Sequence, residues 1–261
     1  MSAIYKYPRT PHLEGSGLQK GDEDLAILPF RSLLGKQLVI EEKVDGANSA
    51  ISLDTSGQLL LQSRGHYLTG GPREAQFQLL KTWAYSHTAE FWEVLGERYI
   101  LYGEWLYAKH TVFYTELPHY FLEFDIYDKQ TETFLSTAQR RNLLDQLPFV
   151  VSARIVYQGQ LQSLQQLQDL LTQSPYIGDR HLERLQEICQ QKQLRADLAL
   201  KETDPSILME GLYLKVEDEA SVSERWKYVR SSFKQALTGS ESHWMNRPII
   251  PNLLRKDATL F

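Results

Sequence analysis

Two apolar runs, Leu38-Val39-Ile40 and Ala50-Ile51-Ser52-Leu53, flank a polar break, Glu41-Glu42-Lys43-Val44-Asp45-Gly46-Ala47-Asn48. This spacing predicts strand, tight break, strand, with a turn at Asp54-Thr55-Ser56-Gly57 leading into another antiparallel strand. Asp45 and Gly46 permit a sharp turn that presents the Lys43 amine. Period-two runs recur at Tyr99–Leu106, Tyr120–Tyr127 and Leu208–Val216, and again at Arg225-Trp226-Lys227-Tyr228-Val229-Arg230. In the second of these, alternation places Leu122, Phe124 and Ile126 on one face and Glu123 and Asp125 on the other. Leu212, Leu214 and Val216 are expected to face a core. Arg225 and Lys227 share one face of the last run, with Arg230 on the opposite one.

Helical spacing appears in other places. Phe77, Leu80, Lys81 and Ala84, then Phe91, Val94 and Leu95, predict helix within 74–95. A cap signal at Ser136 or Thr137 opens a helix to Leu147. A Gln- and Leu-rich stretch, 158–203, reads as a helical insertion, with Pro175 and Gly178 separating two helices. Residues 1–36 read as a Pro- and Gly-containing arm, whose Arg9, His12 and Lys20 are either phosphate contacts or surface residues. Residues 239–261 read as a tail with one short helical turn near Glu241–Asn246. A single domain, 1–261, is the expected organisation, α+β with antiparallel sheets forming a cleft and helices outside.

Composition narrows the function. The chain has 261 residues, 42% hydrophobic and 11% aromatic, enough for a sizeable core. A net charge of −5 excludes affinity from a general basic field, so any nucleic-acid contact must be a local patch. A single cysteine, Cys189, excludes an internal disulfide and a thiolate metal cluster, and suits a reducing cytoplasm. The sequence contains no apolar run of membrane-span length and no signal-peptide core at its start.

The polar residues at predicted strand ends carry the candidate chemistry: Lys43, Arg64, Glu104, Phe124, Glu210 and Lys227. A nucleophilic lysine needs its amine neutral part of the time, which burial and neighbouring cations favour. Lys227, Arg225 and a divalent ion would supply those cations, and a triphosphate needs the same charges. Glu210 would hold the ion directly or through water. Phe124 and Glu42 would offer a purine an aromatic face and a polar edge. Each residue also has an ordinary reading: Lys43 as a surface cation paired with Glu42 or Asp45, Arg64 as a turn residue, Glu104 as a satisfied strand charge, Phe124 as core. Glu123 and Asp125 are metal ligands, solvated, or paired with a nearby arginine.

Lys43-Val44-Asp45-Gly46-Ala47-Asn48, Ser63-Arg64-Gly65, Tyr102-Gly103-Glu104-Trp105, Leu122–Ile126, Glu210-Gly211-Leu212 and Arg225-Trp226-Lys227 occur in that order. Any one alone is weak; the ordered set is specific. It resembles the ATP-dependent RNA ligases, the RNA ligase 2-like branch of the covalent nucleotidyltransferases. The resemblance implies ATP as substrate, Mg²⁺ or Mn²⁺ as cofactor and RNA as partner. It implies Lys43 as the nucleotidyl-lysine, with Glu210 serving the metal and Lys227 the reacting phosphate. Glu42, Arg64, Glu104, Phe124 and Arg225 would complete the nucleotide site, with Glu104 on the ribose. Asn48, Arg64 and Arg230 would meet pyrophosphate or RNA phosphate. Two features depart from the pattern: Arg225 replaces the usual first lysine of the last motif, and about thirty residues follow Lys227, so no separate OB domain is expected. A partner protein would then help to recognise RNA ends. The rival expectations are a DNA ligase or capping-type guanylyltransferase, and a catalytically silent nucleotide- or RNA-binding module.

Overall fold

A computed structural model describes residues 4–18, 21–233 and 248–261. Twelve strands occur among them: β1 (His12–Leu13), β2 (Ile27–Leu28), β3 (Leu38–Lys43), β4 (Ala47–Leu53), β5 (Leu59–Ser63), β6 (Tyr99–Trp105), β7 (Phe121–Asp128), β8 (Thr133–Leu135), β9 (Val151–Ser152), β10 (Ile155–Gly159), β11 (Gly211–Glu217) and β12 (Ser221–Val229). Six α-helices accompany them: α1 (Gln78–Ser86), α2 (Thr88–Leu95), α3 (Thr137–Leu144), α4 (Leu164–Asp169), α5 (His181–Gln191) and α6 (Ala196–Lys201). The hydrogen-bonded order is β10-β3-β11-β12-β8-β7-β6-β4-β5, largely antiparallel, with β1, β2 and β9 added at the sides. This is the mixed architecture expected from the alternating runs.

The order has one consequence that no local pattern carries. β3 and β4 are joined by three residues, yet they do not pair. β3 pairs with β10 and β11, and β4 with β5 and β6. The break at Val44–Gly46 therefore steps between two halves of the sheet that are otherwise connected the long way round, through β8. Gly46 is required there for space: a Cβ would lie 2.6 Å from the Trp105 carbonyl oxygen and 2.7 Å from Leu106 Cδ2.

Each half buries its outer face. Ile51, Leu53, Leu101, Leu122 and Ile126 pack with Leu80, Trp83, Phe91 and Leu95 of α1 and α2. Ile40, Leu212, Leu214, Val216 and Trp226 pack with Leu13, Phe30, Leu33 and Leu167. A smaller cluster, Tyr7, Ala50, Ile100, Tyr102, Phe134 and Val222, lies on the opposite face of these strands, with Phe124 and Tyr213 against it. The period-two alternation within each strand is what lets one segment serve both sides.

Several local expectations meet a different outcome. The helix expected in 74–95 is two helices preceded by a 3-10 turn, Pro72–Phe77, because His87 leaves helical geometry between α1 and α2. Ser136 caps α3 as anticipated, its hydroxyl accepting from the Gln139 amide. The short β8, β9 and β10 offered too few residues for alternation to show. Alternation also misplaces Phe124. Tyr102 pairs with Asp125 and Gly103 with Glu123, so Phe124 is an extra residue in β7, a β-bulge. Leu122 and Ile126 stay in the outer core, while Phe124 turns to the inner face.

Residues 248–261 are packed against the fold. Pro251 bridges to Ala108 and Leu254 to Leu117. Asn252 is fully buried, accepting from the Tyr114 amide at 2.9 Å and donating to the Leu106 carbonyl at 2.7 Å. Lys20, Lys234, Arg247 and the helical turn anticipated near 241–246 lie outside the described residues. Among the described residues no helix is long and apolar enough to cross a membrane.

Candidate active site

A cleft of about 890 Å³ opens between the sheet halves, within the range of small-ligand sites. Its walls bring together Glu42, Lys43, Asn48, Arg64, Glu104, Phe124, Glu210 and Lys227. Strand register explains the convergence. Gly211 of β11 stands opposite Lys43 of β3, so Glu210 arrives at the lysine from the neighbouring strand. Gly211 must lack a side chain, because a Cβ would lie 2.2 Å from the Tyr228 carbonyl oxygen. Asn48 of β4 stands opposite Glu104 of β6. The bulge brings in Phe124, and Lys227 comes from β12, one strand beyond β11.

Lys43 Nζ donates to Glu210 Oε1 at 2.7 Å. Burial alone would lower the lysine pKa, but the Glu210, Glu104 and Asp45 carboxylates outweigh it and hold the amine above its ordinary value. The expectation that neighbouring cations make this amine neutral is therefore corrected. Lys227 is engaged by Asp22, and Arg225 is turned away, so the charges closest to Lys43 are negative. Glu104 shows the other side of this balance. Burial pushes its carboxyl up to about 8; Lys43 opposes the shift, and Glu210 and Asp45 add to it. Its Oε1 accepts from the Gly46 amide at 3.2 Å. Asp45 itself is an anchor. Its carboxylate accepts from the Thr111 and Val112 amides at 2.6 and 2.9 Å, and its own amide donates to the Tyr114 hydroxyl.

Glu42 is buried, and burial raises its carboxyl pKa against the pull of Arg154, whose Nε donates to it at 3.0 Å. Arg64 is exposed just after β5, at the cleft wall. Two expected site residues are not in the walls. Arg225 stacks on the Phe134 ring at 3.6 Å and lies 3.6 Å from Asp125. Arg230 is buried, donating to the Met209 carbonyl at 2.9 Å, to Ser232 at 2.8 Å and to Asp204. Sequence spacing places both near Lys227, but strand direction and local acids claim their guanidinium groups.

Glu123 and Asp125 belong to a buried ion network. Arg140 of α3 donates to Glu41 at 2.5 Å and Glu123 at 2.6 Å; Lys215 lies 2.8 Å from Glu41 and 3.1 Å from Asp125. The reading of these carboxylates as arginine partners is the one realised, extended by a lysine. Among the described residues no three acidic, histidine or cysteine side chains are grouped to hold a metal by themselves. Glu210 still offers hard oxygens in the cleft. That donor set suits a divalent ion which keeps several waters and takes the rest of its shell from phosphate.

The cleft also holds residues that motif reading missed: Tyr7, Asp22, Gln76, His110 and Tyr213. The His110 pKa is lowered by burial, against the pull of Asp45. Asp22 follows Gly21 in a short acidic run, Asp22-Glu23-Asp24, which is ordinary turn composition. No spacing connects it to Lys227; the pairing of β1 with β12 does, setting His12 opposite Lys227.

Comparison with known proteins follows the same line. No curated protein sequence matches the chain. Solved structures of Naegleria gruberi RNA ligase do. A point mutant crystallised with AMP and manganese shares 16% identity at a TM-score of 0.50, covering 76% of this chain and 51% of that one. A second, also with AMP and manganese, shares 17% at 0.50 with the same coverage, and a third, with ATP and manganese, shares 16% at 0.50. This chain thus spans about half the length of those ligases, and the likeness is one of fold. The family model described as RNA ligase matches residues 36–234, a range that begins just before β3 and runs past β12, enclosing the Lys43–Glu210 pair and the rest of the motif set. The chain belongs to the RNA ligase family.

Proposed function

We propose that the chain is an ATP-dependent RNA ligase that works through a lysyl-AMP intermediate on Lys43. The observation that carries this reading is the Lys43–Glu210 contact at the wall of a nucleotide-sized cleft. Adenine is proposed to lie on Phe124 beside Glu42, the ribose by Glu104, and the phosphates toward Lys227 and Arg64. Asn48 and Arg64 would then meet pyrophosphate or the RNA phosphate. Arg225 and Arg230 act from behind the wall, through the Asp125 network and the Glu210 segment, whose carbonyl accepts from the Arg230 amide at 3.1 Å.

The chemistry has three steps. Lys43 gives up its extra proton and its amine attacks the α-phosphorus; an N–P bond forms, the bond to the β-phosphate oxygen breaks, and pyrophosphate leaves with that electron pair. A 5′-phosphate oxygen of RNA then attacks the same phosphorus; the N–P bond breaks and the lysine amine regains a proton. Finally a 3′-hydroxyl loses its proton, attacks the activated 5′-phosphorus and expels AMP. Glu210 would hold Mg²⁺ or Mn²⁺, which supplies charge stabilisation to the phosphate oxygens. The chain's own task at the first step is to move Glu210 off Lys43, since the bonded ammonium is not a nucleophile. Lys227 and Arg64 steady the phosphates while this happens.

The wider expectations belong to the same proposal. Residues 1–261 form one nucleotidyltransferase unit, with an arm at 1–36 and a helical insertion at 158–203. RNA repair in a reducing cytoplasm is the setting that suits it, and a partner protein would add end recognition. The test is intact mass after incubation with ATP and Mg²⁺. One AMP should be added to the wild type and none to Lys43→Ala. Labelling by GTP alone would replace the ligase reading with a capping-type one.

A further inference from the structure

We propose that Asp22, carried by the N-terminal arm, is a built-in competitor for Lys227, and that nucleotide phosphate binds by taking its place. The inference rests on the nucleotide reading of the cleft and adds a residue outside the six motifs.

The arm is stitched to the strand that carries Lys227. β1 runs parallel to β12 with His12 opposite Lys227, and the Lys227 amide donates to the Pro11 carbonyl at 3.0 Å. The Val229 amide donates to the Ser16 hydroxyl at 2.9 Å, and the Gly17 amide to the Val229 carbonyl at 2.8 Å. From this base a polar relay leads into the cleft. Ser16 Oγ lies 2.7 Å from His12 Nδ1, and His12 Nε2 lies 3.1 Å from Asp22 Oδ2. The Asp22 carboxylate can only accept, so Nε2–H donates to it; burial favours the uncharged ring, whose Nδ1 then accepts from the Ser16 hydroxyl. That pattern is a neutral imidazole, in keeping with the complete burial of His12.

Asp22 is thus anchored on its own side. Arg9 lies 3.5 Å from its other oxygen, and the Leu25 amide donates to its carbonyl at 3.0 Å. The Lys227 ammonium, on a four-carbon stem, is held among the described residues by Asp22. Both side chains line the cleft with Lys43 and Glu210. The carboxylate has partners besides Lys227, and the ammonium sits at the end of a flexible stem. A phosphate arriving at Lys227 must therefore exchange one anion for another, close to that carboxylate. Apparent affinity falls by the fraction of time the ammonium is free.

Asp22→Asn keeps the shape and an acceptor for His12 while removing the charge. It should lower the KM for ATP in the formation of lysyl-AMP by about three- to tenfold. In a Lys227→Met background the same substitution should lower that KM by less than about twofold, because the contested group is gone and only the repulsion between carboxylate and phosphate is relieved; an equal fall in both backgrounds overturns the proposal. A merely structural Asp22 would lower kcat or raise KM in both backgrounds, and that result overturns the proposal. Should Asp22→Asn not fold, the wild type decides. The ¹³C carboxyl signal of Asp22 should titrate at higher pH once α,β-methylene-ATP has drawn Lys227 away, and an unmoved titration overturns the proposal. Wild type that forms no AMP adduct removes the nucleotide reading and this inference with it. An adduct combined with an unchanged or raised KM in Asp22→Asn removes this inference alone.

Discussion

Glu104 is the residue whose ionisation is most exposed to experiment. Its carboxyl is pushed up to about 8, by burial first and then by Glu210 and Asp45 against the opposing pull of Lys43. A folded-state pKa above the unfolded value means that the folded protein binds the extra proton. Stability from this group is full below the ordinary glutamate range and is lost as pH rises toward 8. Chemical denaturation without nucleotide should show stability falling between pH 5 and 8, and falling less in Glu104→Gln. Parallel profiles would mean that the carboxyl is not held protonated. Lys43 works in the opposite sense for reactivity, since the Glu210 carboxylate at 2.7 Å keeps it an ammonium. Single-turnover adenylylation should rise with pH across the neutral range. A flat profile would show that its proton is lost by some route other than release from Glu210.

Two devices act at the scale of elements. The bulge in β7 sends Phe124 to the cleft while Ile126 remains fully buried in the outer core. Ile126→Ala should cost about 2–5 kcal/mol in denaturant unfolding, as buried truncations do. Phe124→Ala should cost less stability and instead raise the KM for ATP. Equal losses of stability with no change in KM would return Phe124 to the core. The second device is Arg140, which ties α3 to β3 and β7 through Glu41 and Glu123. Arg140→Met leaves two buried carboxylates short of a partner and should destabilise by about 3–5 kcal/mol. A near-neutral urea midpoint shift would show that Lys215 suffices for all three acids.

At the scale of the molecule, charge and positioning separate the first step from the last. Adenylylation needs ATP, metal and the cleft. Sealing needs two RNA ends held in line. With net charge −5, phosphate contacts must come from few residues. Arg225 and Arg230 are committed to Asp125 and Asp204, and Arg255 pairs with Asp257 at 3.0 Å. Arg64 and Lys256 remain among the described candidates, joined by Lys227 once phosphate takes the place of Asp22. Few contacts give weak binding that fades with salt. This chain should charge itself with AMP readily and seal simple 5′-phosphate RNA slowly at physiological salt. Single-turnover sealing by pre-adenylylated protein at low and physiological salt checks this; fast sealing at both would show that the chain positions both ends unaided.

The sequence by itself determined the longer strand runs, the ordered motifs and eight of the residues that meet in the cleft. Those signals are local: period-two alternation for Leu212, Leu214 and Val216, and fixed spacing around Lys43 and Glu210. It did not determine which strands pair. β3 and β4 are neighbours in sequence and separate in the sheet, while β1 reaches β12 across most of the chain. Pairing depends on which faces can be buried together, and that is a property of the whole chain. The sheet alone therefore decided that Arg225 would stack on Phe134, that a bulge would turn Phe124 inward, and that Asp22 would face Lys227. The charge state of Lys43 has the same origin. Long-range carboxylates set it against the prediction from nearby cations, because electrostatic effects follow distance in space and not position in the chain.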